Sequence, residues 1–215
     1  MWIATWVSGL LKKILLALLL LPAMIYLTKV GVADFLRLAP CAYVEAVQKR
    51  EIRLDPAELV RARERLIMAR DWDSSNPDVS EFLGQIALMR SKLVDFSPRL
   101  QLIFLREAVQ EFQYAVDLRP NSAYLWAARM TAGSWLLETN AKIDRDIDRD
   151  DGLAAHELSV MSQAMQRADI LAPWDASILQ QILRVGDLRY LEFSPEIRLI
   201  VDGAALRAKK LKLKI

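Results

Sequence analysis

The densest run of chemistry-bearing side chains lies between Asp146 and Glu157, reading Asp-Ile-Asp-Arg-Asp-Asp-Gly-Leu-Ala-Ala-His-Glu. Asp146, Asp148 and Asp150 recur at every second place and offer hard oxygen donors. Glu157 stands at the twelfth place, where a bidentate carboxylate would close the shell of a calcium ion. Leu153 suits the apolar eighth place. These four acids are the candidate metal ligands. Two features oppose the assignment. Asp151 holds the sixth place, where the chain must turn sharply, and Gly152 comes one residue late; Asp reaches positive φ less readily than Gly. Arg145 and Arg149 also compete for the carboxylates. The favoured reading is a solvated hairpin loop whose acids cap the next helix, with calcium as the alternative.

That spacing resembles the calcium loop of EF-hand proteins, apart from the displaced glycine. The rest of the chain is poor in reactive groups. His156 is the sole histidine, so no histidine pair can hold a metal. Cys41 is the sole cysteine; it cannot form an internal disulfide, and no activating base accompanies it in sequence. No nucleophile elbow, triad or glycine-rich phosphate loop is present. No catalytic residue, no enzyme activity and no cofactor are therefore expected. Tyr124, Trp126, Trp135 and Trp174 are candidates to line a concave binding face, against the alternative that they are core. Arg207, Lys209, Lys210, Lys212 and Lys214 form a basic tail interleaved with Leu and Ile, suited to anionic lipid or polymer, or else simply solvated.

The elements that must carry these residues are helical. The 215 residues are 53% apolar and 26% charged, with seven Gly and eight Pro. That composition suits a globular, helix-rich domain. The net charge of +2 gives no ground for a nucleic-acid partner. Asp55-Pro56 predicts a helix start, with Leu59, Ala62, Leu66 and Ala69 as one stripe. Further helices are predicted from Asp78 or Ser80, over 102–118, 124–137, 153–171 and 176–190, separated by proline-containing breaks. No strand is expected beyond the short alternating tail Lys210–Ile215.

Residues 14–33 predict a single transmembrane segment, about 20 residues long if Lys29 snorkels. Its run Ile14–Thr28 is free of charge, and Trp2, Trp6 and Tyr26 flank it as interface anchors would. Lys12 and Lys13 place the small positive excess at the N-terminus. The expectation is a signal anchor with residues 1–13 cytoplasmic and the remainder outside. A cleaved signal, with Gly31-Val32-Ala33 as the cut site, and a buried core helix are the alternatives. Residues 34–54 then form a juxtamembrane connector, 55–192 the helical domain, and 193–215 a C-terminal segment with the basic tail.

Ala108-x3-Phe112-x2-Ala115-x4-Pro120 resembles the second helix of a tetratricopeptide repeat. Met161-x3-Met165-x2-Ala168-x4-Pro173 repeats the spacing, and Ala62-x3-Leu66-x2-Ala69 does so with the proline displaced to Pro77. Leu83-Gly84-x2-Ala87 fits the first helix. The alanines are spaced more widely than the about 34 residues of a standard repeat, which implies lengthened loops; an ordinary helical bundle is the alternative. With its N-terminal anchor and the helix end Leu118-Arg119-Pro120-Asn121, the chain is similar to the small VpsP-type accessory proteins of bacterial exopolysaccharide loci. The resemblance implies an all-α, membrane-tethered hairpin array in the bacterial inner membrane, single-pass, with its helical domain on the periplasmic side. It also implies a non-enzymatic scaffold role in polysaccharide synthesis or export, with other envelope proteins and a polysaccharide as partners. A calcium- or glycan-binding module, or a pilus or secretion accessory protein, is the alternative.

Overall fold

The computed structural model describes residues 2–143 and 151–213; for residues 2–14, 151 and 153 it describes the backbone alone. Eight α-helices account for nearly all of it and, among the described residues, there is no strand. They are α1 (Trp2–Gln48), α2 (Pro56–Trp72), α3 (Pro77–Leu93), α4 (Pro98–Leu118), α5 (Ala123–Lys142), α6 (Asp151–Leu171), α7 (Ala176–Arg189) and α8 (Pro195–Lys210).

Local chemistry sets their ends. Pro56, Pro77, Pro98 and Pro195 occupy the first turns of α2, α3, α4 and α8. There the missing N–H is no loss and the fixed φ is already helical. Asp55, Asn76, Ser122 and Asp175 cap α2, α3, α5 and α7 by accepting backbone N–H bonds. After α1 the chain reverses through Arg50 at φ 60, and the Tyr43 hydroxyl clasps both N–H and C=O of Asp55.

Consecutive helices pack as hairpins: α1 with α2, α3 with α4, α5 with α6, and α7 with α8. The hairpins stack in order, α4 on α5, α2 on α3, and α7 on α5 and α6. The second helix of each hairpin buries the same pattern. Ala62, Leu66 and Ala69 do so in α2, and Ala108, Phe112 and Ala115 in α4; Met161, Met165 and Ala168 follow in α6, and Ile197, Val201 and Ala204 in α8. An alanine closes every triplet, and in α2 and α4 one also opens it; these small residues let the helices approach, and the middle side chain fills the gap. Two first helices use glycine where that middle side chain crosses. A Cβ on Gly84 would sit 3.0 Å from Phe112 Cε1, and one on Gly186 would sit 2.5 Å from Val201 Cγ1.

Two stretches differ from the sequence expectation. The connector at 34–54 is not a separate piece: α1 runs on through residue 48, with Ala33, Pro40 and Val44 buried on the array side. Pro40 stays within the helix although it cannot donate to the preceding turn. The C-terminal segment 193–215 holds a further helix ahead of its basic end. Residues 195–210 form α8, whose Ile197, Val201, Ala204 and Ala208 complete the largest core cluster, so the basic tail begins only after Lys210.

Candidate functional site: a groove across the first helices

α1, α3, α5 and α7, the first helices of the four hairpins, contribute the walls of one groove of about 210 Å³. Its floor is Leu88, Met89, Phe112 and Ala128, and its edges are polar. Gln48 Nε2 on α1 donates to Gln85 Oε1 on α3 at 2.8 Å. Gln85 Nε2 donates onward to the Tyr124 hydroxyl on α5 at 3.2 Å and to Glu81 Oε1 at 3.0 Å. Thr131 Oγ1 on α5 donates to Gln181 Oε1 on α7 at 3.1 Å. Except for the Gln85–Glu81 bond within α3, each link joins two helices, so the polar edge also fixes how the hairpins sit on one another.

Trp135 and Lys92 close one end. The Lys92 ammonium lies 4.8 Å from the centre of the Trp135 ring, a cation–π distance. The same two residues open onto a second cavity of about 210 Å³, edged by Ser91, Gln101, Thr139 and Lys142. The two cavities share Lys92 and Trp135, and the second also carries Glu138, so together they offer amides, hydroxyls, two lysines, one carboxylate and an aromatic wall. The amides and hydroxyls both donate and accept, which suits a polar, hydrogen-bonding ligand surface.

Near the α1 end of this amide run, Glu81 is the electrostatically perturbed group. Burial pushes its carboxyl up to about 7; the Asp78 charge adds to this, and Arg119 opposes it. Burial and the same carboxylate also raise the Tyr124 phenol above its ordinary value.

The aromatic candidates separate. Tyr124 and Trp135 line the groove. Trp126 is in the core, 9% exposed, with its indole N–H donated to the Pro120 carbonyl at 2.8 Å. Trp174 is 54% exposed on the α6–α7 connection, with Lys210 6.0 Å from its ring.

Of the proposed calcium ligands, Asp146, Asp148 and Asp150 lie outside the described residues. Glu157 is described, and it is 2% exposed on α6. Both of its oxygens accept from Arg129 on α5, the Nη2–Oε2 bond measuring 3.0 Å. Arg129 is itself 3% exposed, and its Nε has no partner among the described residues. Gly133 makes room for this pair, because a Cβ there would overlap the Glu157 carboxylate. The pair floors a 400 Å³ cavity between α4 and α6, with His156, Arg106 and Tyr114 at its rim. Among the described residues no three His, Cys, Asp or Glu side chains converge to hold a metal. Burial pushes the Cys41 thiol up to about 12, which suppresses the reactive thiolate.

Gln48, Gln85, Thr131 and Gln181 were not singled out in the sequence. The available signal is Gln85 itself, a polar residue set among Leu83, Gly84, Ile86 and Ala87 and 5% exposed.

Together these features define an all-α chain of helical hairpins in series, led by one helix long and apolar enough to cross a membrane. No family model matches the chain, and no curated protein matches it.

Proposed function

We propose that the chain is a membrane-anchored scaffold that holds envelope proteins together and has no chemistry of its own. The observation that carries this is the groove: all four first helices build it, and α1, one of them, is also the apolar N-terminal helix. A partner bound there would be tied directly to the anchor. The recurrent buried triplets of α2, α4, α6 and α8 support a tetratricopeptide-like array, a type of fold that works by presenting surfaces to other chains. On this reading the anchor lies in a bacterial inner membrane, the array is periplasmic, and the partners serve exopolysaccharide synthesis or export.

A photo-reactive residue in place of Tyr124, in the full-length protein in its native membranes, tests the groove. A defined crosslinked product should form, weaken several-fold when Trp135→Ala is added, and be absent when the probe replaces Glu64 on the outer side of α2. Equal products from both probe positions would refute the groove as the partner site. A reporter that is active only in the cytoplasm, fused to the C-terminus, should stay silent; activity would overturn the orientation.

A further inference from the structure

The two sides of α1 change from apolar to polar at different heights. On the side facing the array, charge begins at Lys29 and continues at Arg37, whose guanidinium joins Asp34 at 2.7 Å and Asp78 of α3 at 3.1 Å. Ala33, Pro40 and Val44 lie on this side, buried against the array. On the opposite side Gly31, Phe35, Leu38 and Ala42 follow at helical spacing; Asp34 stands at the edge of this face, held by Arg37, and the next ionisable group is Glu45. Phe35 is 76% exposed and Leu38 63% exposed, and a Cβ on Gly31 would meet nothing within 4 Å.

This uncovered side continues the face that carries Leu20, Met24 and Leu27 within the apolar stretch. Lipid is already the neighbour of that face if α1 spans the membrane, the reading on which this inference rests. The geometry closes. From Lys29 to Leu38 the helix rises about 13 Å. A tilt of about 30° lowers one side of a helix 10–12 Å wide by about 6 Å relative to the other. Snorkelling of Lys29 along its four-carbon stem covers roughly the remainder. An upright helix would leave Phe35 and Leu38 in water while Lys29 sat at the surface.

We propose that the outer face of α1 from Gly31 to Ala42 rests in the lipid headgroup and upper acyl region. α1 then leaves the membrane obliquely, and the hairpin array leans to one side of it. The occupant of this face is the lipid surface itself, and the array's attitude to the membrane is set by α1 without a flexible linker.

Full-length protein in a Cys41→Ala background, with single cysteines at Leu20→Cys, Leu38→Cys and Glu64→Cys, tests this. Each is labelled with an environment-sensitive fluorophore in phosphatidylcholine–phosphatidylglycerol vesicles. The Leu38 label should be quenched by shallow spin-labelled lipid and show at least about threefold less iodide quenching than the Glu64 label. The Leu20 label should respond to deep spin-labelled lipid. Iodide access at Leu38 equal to that at Glu64, with Leu20 still in lipid, overturns the oblique exit and leaves the span standing. Iodide access at Leu20 overturns the span. Protection of Leu38 that is lost on diluting the protein in lipid assigns the face to a second copy and overturns the lipid assignment.

Discussion

Replacing Gly133 by alanine should reverse its effect on stability according to what lies opposite. Gly133 is inside α5, where glycine is about 1 kcal/mol worse than alanine for the helix. In the native protein that gain is overridden. The new Cβ would overlap the Glu157 carboxylate and lie 3.0 Å from Arg129 Nη1. That displacement would part the carboxylate from Arg129 at a site where Glu157 is 2% exposed. Separating a buried pair in this way costs about 3–5 kcal/mol. The net loss is then about 2–4 kcal/mol, or roughly 5–15 °C of melting temperature for a chain of this size. In an Arg129→Met, Glu157→Ala background both the overlap and the charges are gone, and the same substitution should stabilise by up to about 1 kcal/mol. Thermal melts of the four proteins in one detergent, followed by circular dichroism, measure both effects. A loss of equal size in the two backgrounds would refute the claim that Gly133 exists to seat the Arg129–Glu157 pair.

Glu81 gives a pH-dependent test. Its carboxyl is raised from 4.5 to about 7 in the fold, so the folded chain holds the proton more tightly. Its contribution is fully present below the ordinary carboxylate value and is lost as pH rises through about 7. Glu81→Gln should therefore stabilise by about 1–2 kcal/mol at pH 8, allowing for partial exposure, and by little at pH 4.5; a pH-independent difference in denaturant midpoints would contradict the burial. Two glycines of the last hairpin should diverge. Gly186→Ala meets Val201 at 2.5 and 2.9 Å and should cost about 1–3 kcal/mol, whereas Gly203→Ala meets only Arg207 Nη1 at 3.4 Å and should be neutral or stabilising in the same melts. Calcium from micromolar to millimolar should leave tryptophan fluorescence and melting temperature unchanged, because both Glu157 oxygens are engaged by Arg129; a saturable upward shift would show that the acidic run binds the ion.

What could be read in the sequence depended on whether its cause was local. The stripe Leu59, Ala62, Leu66 and Ala69 and its Asp55-Pro56 start appear as expected, because cap, proline and period all act within a few residues. The last hairpin was hidden: Ile197, Val201 and Ala204 repeat the buried triplet of α4 and α6, but they lie among Arg, Asp and Lys close to a basic tail. Glu157 illustrates the opposite case. Its place in an acidic run suggests a metal ligand, whereas its partner Arg129 stands in the preceding helix and shares no local pattern with it. The groove is least legible of all. Gln48 and Gln85, like Thr131 and Gln181, meet only after hairpins have stacked, and amides carry no periodic signature.

The continuity of α1 joins these observations. Its 47 residues rise about 70 Å as one helix, serving first as the apolar segment and then as half of the first hairpin. Rotation about this axis is therefore transmitted to the array. A single alanine inserted after Leu19 leaves residues 20–48 in their register with the array, and should leave the melting temperature of the array unchanged. The same insertion after Leu38 turns Arg37 by about 100° relative to Pro40 and Val44. Arg37 then loses Asp78, the Phe35–Leu38 face swings toward α2 and α3, and the first hairpin should melt earlier. Equal effects of the two insertions would mean that α1 is not a rigid lever and that the array hangs from its anchor by a hinge.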